Sequence, residues 1–144
     1  MKNGRIDIAS IRREQIIDAA ITVIANQGLH HLSLSEIETR AAMSRGQLTH
    51  YFKTKEEILL AVWDRVLQQM CQRMMESPGS PVPGQASCLE IVEHLLTKLL
   101  LHPPVSPEFS TLQYTFLSQI GYRADFRQRL ATLYEEWRGT RGSG

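Results

Sequence analysis

The chain has 144 residues, of which 42% are hydrophobic, and its formal net charge is +1. This length and apolar content suit one or two small domains with a hydrophobic core and exclude disorder of the whole chain. Two cysteines are too few for a disulfide scaffold, and no apolar run reaches the roughly 18 residues that span a bilayer. We therefore predict a cytoplasmic protein with no membrane partner.

The positive charge is concentrated in the first part of the chain. Residues 1–55 carry eight Lys or Arg and five Asp or Glu, a net charge of +3, whereas residues 56–144 carry eight and ten, a net charge of −2. A positive field of this kind favours contact with a phosphate backbone. The asymmetry therefore directs the search for a nucleic-acid site to the first third of the chain.

A helical apolar period predicts the first helix over about residues 10–27, where Ile16, Ala20 and Ile24 share one face. Gly28 follows as the expected left-handed cap of that helix. A long apolar stripe then predicts a helix from residue 55 to about residue 75.

Three predicted capping boxes lie close together between these two helices. In each box, Ser or Thr is followed three residues later by Glu or Gln: Ser33 and Glu36, Ser44 and Gln47, Thr54 and Glu57. The first two boxes start short helices over about residues 34–41 and 45–51. Two short helices joined by a tight turn are typical of a helix-turn-helix, whose second helix enters a DNA groove.

The remainder of the chain is also predicted to be helical. The segment SPGSPVPG, residues 77–84, predicts a loop. Helices are predicted over residues 87–101 and 108–120 and from residue 123 to residue 137, and the last six residues have no helical or core character. Because no segment has the period of a strand, the predicted fold class is all-α.

The segments REQIIDAAITVIANQG and LSLSEIETRAAMSRGQLTHYFKTKEEILLAV resemble the N-terminal domain of the tetracycline-repressor (TetR) family of bacterial transcription regulators. The resemblance covers about residues 11–63. The sequence departs from it at Thr49, where Tyr is most common, at Ala42 and Met43, where Gly-Val is common, and at Glu38, where Ala is common.

The resemblance implies a three-helix DNA-binding domain over residues 1–54 and a helical ligand-binding and dimerisation domain over residues 55–138. Residues 139–144, which lack helical and core character, are expected to be a disordered tail or an artificial end. Family members usually act as homodimeric repressors that leave DNA when a small molecule binds. They are usually longer and end in two helices that form the dimer interface, so we expect this chain to lack those last helices. The rival hypothesis is a helical protein-interaction module that has kept the fold and lost DNA binding.

The DNA-binding residues are expected around the second short helix, where Arg45 can bind guanine bidentately and Gln47 can bind adenine, unless Gln47 only caps the helix. Lys53 and Lys55 can hold phosphate together with the free N–H groups of the long helix. Tyr51 offers either its ring to the core or its hydroxyl to the backbone. The full predicted set is Ser33, Ser44, Arg45, Gly46, Gln47, Thr49, His50, Tyr51, Lys53 and Lys55.

The second domain offers weaker candidates. Apolar side chains there either line a pocket for a small apolar or amphipathic effector or only fill the core: Trp63, Met70, Leu96, Phe109, Leu112 and Phe116. The histidines lack partners at a metal-ligand spacing, and no catalytic motif is present, so we predict no metal, no cofactor and no enzyme activity.

Overall fold

A computed structural model of the protein describes residues 7–76, 85, 87–101 and 107–138. The predicted loop over residues 77–84 and the predicted tail over residues 139–144 lie outside the described residues, as do residues 1–6.

The described residues form α-helices and one short 3-10 helix, with no strand among them. The α-helices are α1 (Ile8–Gln27), α2 (Leu34–Ala41), α3 (Arg45–Tyr51), α4 (Lys55–Glu76), α5 (Cys88–Leu100), α6 (Pro107–Ser118) and α7 (Ala124–Arg138), and the 3-10 helix is Leu29–His31. The predicted all-α class is therefore confirmed. The first helix begins two residues earlier than predicted, because the carboxylate of Asp7 caps it by accepting from the Ser10 N–H at 3.3 Å.

The chain divides into two compact units after Val62, inside α4. The sequence-based boundary lies eight residues earlier, at the start of α4, whereas the buried Ile58, Leu59 and Val62 in the first turns of this helix belong to the first unit. The apolar stripe of α4 runs through both units, so the sequence pattern does not change at the boundary between them.

The first unit is held together by α1, which packs against α2 and α3. Its fully buried residues Ile16, Ala20 and Ile24 lie on one face at helical spacing. The other two helices contribute the fully buried Ile37 and Leu48. The core thus fixes the position of the short α3 through a few large apolar side chains.

The starts of the short helices follow the predicted chemistry with one difference. Ser44 and Gln47 form both halves of a capping box at the start of α3. Thr54 and Glu57 do the same before α4, with N···O distances of 3.2 and 3.4 Å. At α2 the structure shows only the serine half of the predicted box, in which the Ser33 hydroxyl accepts from the Glu36 N–H at 3.1 Å.

Gly28 ends α1 in a conformation that differs from the expected left-handed helical cap. Its φ of 93° is positive, as expected for glycine, but its ψ of 161° is extended. The extended ψ leads the chain directly into the 3-10 helix Leu29–His31, which the apolar period did not predict. The Gly28 N–H still closes the helix by donating to the Ile24 carbonyl at 2.9 Å.

The turn between α2 and α3 is a Schellman motif. The Met43 N–H donates to the Glu38 carbonyl at 3.1 Å, and the Ala42 N–H donates to the Thr39 carbonyl at 3.4 Å. Ala42 lies in the left-handed region, with φ 54° and ψ 46°, where its Cβ is unfavourable. Met43, the residue that follows Ala42, has a buried side chain.

We expect Ala42→Gly to raise the free energy of unfolding by about 0.5–1 kcal/mol. Glycine avoids the penalty of roughly 1–2 kcal/mol that a Cβ incurs in the left-handed region. Part of this gain is offset because glycine gives the unfolded chain more conformational entropy. Urea denaturation of the two proteins measures the difference. Gly28→Ala is the matched control of opposite sign, because the φ and ψ of Gly28 suit only glycine and should cost about 1–3 kcal/mol. A loss of stability in A42G would contradict this account of the turn.

The second unit has an aromatic core. Trp63 stacks on Phe116 and on Phe126, with ring centroids 5.5 and 5.2 Å apart, and all three residues are fully buried. The indole N–H of Trp63 donates to the Phe126 carbonyl at 3.1 Å. This bond satisfies the one polar atom of the cluster, so the cluster can be fully buried.

The start of α7 is stabilised by a bidentate ion pair. Arg123 donates from Nε and Nη2 to the two carboxylate oxygens of Asp125, at 3.1 and 2.7 Å, and its guanidinium lies 4.4 Å from the centre of the Phe126 ring. The hydrogen bond from Arg123 is the main reason that the pKa of Asp125 lies below its usual value. The pair therefore anchors the first turn of α7 beside the aromatic core.

Candidate nucleic-acid interface

The short helix α3 presents a polar face on the surface of the first unit. Leu48 is fully buried and anchors the helix, whereas Arg45, Gly46, Gln47 and His50 are exposed. At about 100° per residue, Gly46 and His50 lie opposite Leu48. The polar face is therefore a consequence of anchoring the helix through one apolar residue in the middle of its length.

Arg45 lies at the first position of α3 and is tied to α2. Its Nε donates to the Glu38 carboxylate in an ion pair, and its Nη2 donates to the Ser35 hydroxyl at 3.2 Å. The side chain of Arg45 is still 52% exposed, whereas that of Glu38 is 22% exposed. The guanidinium is thus fixed from one side and open to solvent on the other.

Gln47 serves the start of its own helix. Its Oε1 accepts from the Ser44 N–H at 3.0 Å, and the Ser44 hydroxyl accepts from the Gln47 N–H at 3.2 Å. Both side chains are exposed. Gln47 therefore performs the capping role; bidentate contact with adenine would use the same Oε1 atom, so that contact stays a prediction.

Gly46 leaves space beside the capping residues. A Cβ built at this glycine would meet only the Ser44 Oγ, at 4.0 Å. A larger side chain would therefore fit in the free protein, and glycine would matter here only if a partner approaches the backbone closely.

Ser33, which caps α2, is half-buried.

The second half of α3 carries the remaining predicted contacts. The Thr49 hydroxyl donates to the Arg45 carbonyl at 2.9 Å, so its single proton is engaged inside the helix. His50 is exposed and meets the half-buried Tyr51 ring edge to face at 4.9 Å. A donated hydrogen bond from Thr49 to phosphate would have to replace the bond within the helix.

Lys53 and Lys55 flank the start of α4, and both side chains are exposed. The Glu57 carboxylate accepts from the Lys53 N–H at 2.6 Å and from the Thr54 N–H at 3.4 Å. These backbone groups are therefore occupied. Phosphate binding here would depend mainly on the two ammonium groups.

Arg13, which is not among the predicted DNA-binding residues, lies against the C-terminal end of α3. Its Nη1 donates to the Tyr51 carbonyl at 2.9 Å, and its guanidinium lies 4.3 Å from the centre of the buried Phe52 ring. A cation at the C-terminal end of a helix satisfies its last carbonyl groups and complements the helix dipole. Arg13 thus fixes the second end of α3.

The candidate ligand residues of the second unit fall into two groups. Trp63, Met70, Leu112 and Phe116 are buried, with at most 8% of their surface exposed. Phe109 is half-buried beside Arg73, and Leu96 is 49% exposed. The structure therefore brings Trp63 and Phe116 together as packed core and does not place Leu96 in that core.

No helix among the described residues combines the length and the apolar character needed to cross a membrane.

The fold and the exposed face of α3 define a helical protein with a helix-turn-helix domain. A sequence profile described as "Bacterial regulatory proteins, tetR family" matches residues 16–62. This stretch contains most of α1, all of α2 and α3, and the start of α4. Residues 16–62 are therefore similar to the TetR family, in agreement with the resemblance noted in the sequence.

Two curated relatives illustrate the similarity. The fatty acid metabolism regulator protein of Bacillus subtilis is 42% identical over 62 residues, which are 43% of this chain and 32% of that protein. The HTH-type transcriptional regulator BetI of Rhizobium meliloti is 25% identical over 130 residues, which are 90% of this chain and 62% of that protein. The chain thus spans between about a third and three fifths of the length of these relatives.

A solved structure extends the likeness in fold. The structure of the multidrug binding protein EbrR complexed with imidazole superposes on this chain with a TM-score of 0.71 at 20% sequence identity. The match covers 100% of this chain and 77% of the EbrR chain. At that identity the similarity concerns the fold alone. It supports the order of a helix-turn-helix domain followed by a helical domain.

Proposed function

We propose that this chain is a DNA-binding transcriptional regulator whose α3 enters the major groove. One observation carries the proposal: the buried Leu48 anchors α3 so that Arg45, Gly46, Gln47 and His50 face solvent. The first residues of such a helix are those that reach base edges in helix-turn-helix proteins. The similarity of the domain to the TetR family and the names of the regulators it resembles support the same function.

The charge around α3 supports contact with phosphate. Lys53 and Lys55 present exposed ammonium groups just after α3, and residues 1–55 carry a net charge of +3. Contacts of this type supply much of the affinity for DNA and position the protein without choosing a sequence. Lys53 and Lys55 are therefore assigned to the backbone, and Arg45 to a base.

The finer proposal is a repressor that binds a palindromic operator as a dimer and is released by a small apolar or amphipathic molecule. A palindrome requires two recognition helices about 34–36 Å apart. The continuous helix α4 supports the coupling, because it supplies Val62 to the first core and Trp63 to the second. A ligand that shifts this helix would change the population of DNA-competent dimers.

Selection from a randomised DNA duplex library tests the proposal. We expect the purified chain to enrich a sequence and to bind it more weakly as salt rises, with a slope set by the number of phosphates it contacts. A scrambled duplex of the same composition is the control. Equal binding to the selected and scrambled duplexes would reject sequence recognition and favour the protein-interaction module. The ligand part fails if every compound that demonstrably binds leaves the affinity for the selected duplex unchanged.

A further inference from the structure

We infer that Glu38 is a specificity-determining residue, which positions the Arg45 guanidinium for a base edge instead of contacting DNA itself. The inference rests on the proposed function and adds a residue of α2 to the interface. It begins from the bridge in which Glu38 and Ser35 hold Arg45 from the same side.

The bridge uses one edge of the guanidinium and leaves the other open. The group carries five N–H donors in one plane. Glu38 takes the donor on Nε, and Ser35 takes one donor on Nη2, which lies on the same edge. Among the described residues, no group is bonded to the edge formed by Nη1 and the second N–H of Nη2. Two parallel donors thus remain for the bidentate contact that recognises guanine.

The pairing also reduces the entropic cost of that contact. Arginine loses much rotamer freedom when it is fixed, and here the bridge fixes the side chain before a partner arrives. Ser35 and Glu38 are three residues apart on α2 and therefore lie on one face of that helix. The binding geometry is thus built from both helices of the helix-turn-helix.

The charge of Glu38 weakens sequence-independent binding, whereas its bridge to Arg45 favours sequence-specific binding. A carboxylate near the interface repels phosphate, so its removal should strengthen contact with any DNA. Removal of Glu38 should therefore lower the discrimination between preferred and random DNA in two ways. The protein would bind preferred DNA without a positioned Arg45, and it would bind random DNA without a repulsive charge.

Glu38→Ala is the central test, performed with the duplex that the wild-type chain selects and with variants changed at each base pair. We expect the preference at the position read by Arg45 to fall about tenfold in E38A, within the range of one bidentate contact, while affinity for scrambled DNA rises. A positioning role through Arg45 also requires that E38A have no further effect on this preference in an Arg45→Ala background.

Glu36→Ala is the matched control, because it removes one carboxylate from the same helix without touching the bridge. It should raise affinity for scrambled DNA in a similar way and keep the base preference. Glu38→Gln keeps an oxygen that accepts from Nε, so it should retain more of the preference than E38A. Melting temperatures of all variants separate these effects from loss of fold.

The slow exchange of the Arg45 Nε–H, measured by nuclear magnetic resonance without DNA, provides a separate readout of the bridge. We expect the signal to be protected in the wild-type chain and to lose protection in E38A. A wild-type chain that shows this protection but prefers no sequence would reject the proposed function, and the inference with it. A base preference that E38A leaves intact or sharpens would overturn the inference alone.

Discussion

Trp63→Ala is expected to lower the free energy of unfolding by about 3–5 kcal/mol, the usual cost of removing a large buried aromatic side chain. Trp63 is fully buried between Phe116 and Phe126, and its indole N–H bonds the Phe126 carbonyl at 3.1 Å. The substitution therefore leaves a cavity and removes a buried hydrogen bond. Chemical denaturation followed by far-ultraviolet circular dichroism measures the loss.

Two further variants separate the contributions of packing and hydrogen bonding. Trp63→Phe keeps a ring in the cluster but removes the N–H donor, so it should cost about 1–3 kcal/mol. Leu96→Ala changes a residue that is 49% exposed and should cost much less than W63A. If W63A and L96A were equally stable, the aromatic cluster would not be the core of the second unit.

The local signals of the sequence were sufficient to predict the helices. Capping pairs such as Ser44 and Gln47 lie three residues apart and act within one turn, so their chemistry can be recognised without the fold. The buried side chains of α1 follow from the period of a helix. Gly28 was recognised as a stop, but its ψ depends on where the chain goes next, and the 3-10 helix after it has no apolar period.

The contacts that shape the candidate interface join residues that are distant along the chain. Arg13 and the Tyr51 carbonyl are 38 residues apart, and Arg45 and Glu38 are seven residues apart across a turn. No pattern of spacing identifies such pairs, because a three-dimensional turn brings them together. The polar surface of α3 could therefore be predicted from local signals, whereas the side-chain network that orients its residues could not, and the DNA contacts of these residues stay a prediction.

The same limit applies to the second unit. The aromatic residues were recognised as either pocket or core, and composition alone could not separate these roles. The bond between Trp63 and the Phe126 carbonyl spans 63 residues of sequence. It holds Trp63 in the packed interior of the second unit, and the pocket role of these residues stays a prediction that ligand binding would test.

Arg45→Ala and Lys55→Ala are expected to weaken DNA binding in different ways. Arg45 lies at the start of α3 with an open guanidinium edge, whereas Lys55 presents an exposed ammonium group at the start of α4. R45A should cost about 1–3 kcal/mol on the selected duplex and relax the choice of base at one position. K55A should weaken selected and scrambled duplexes alike and reduce the salt slope by about one.

Fluorescence anisotropy with labelled duplexes over a series of salt concentrations measures both quantities. Arg127→Ala is a suitable charge control, because it removes one cation from α7 in the second unit and should leave the base preference unchanged. The distinction between base and phosphate contact depends on how the losses are distributed across sequences. If R45A and K55A reduced affinity for every duplex by the same factor, Arg45 would be a phosphate contact, and the base-reading role would have to be assigned to Gln47 or His50.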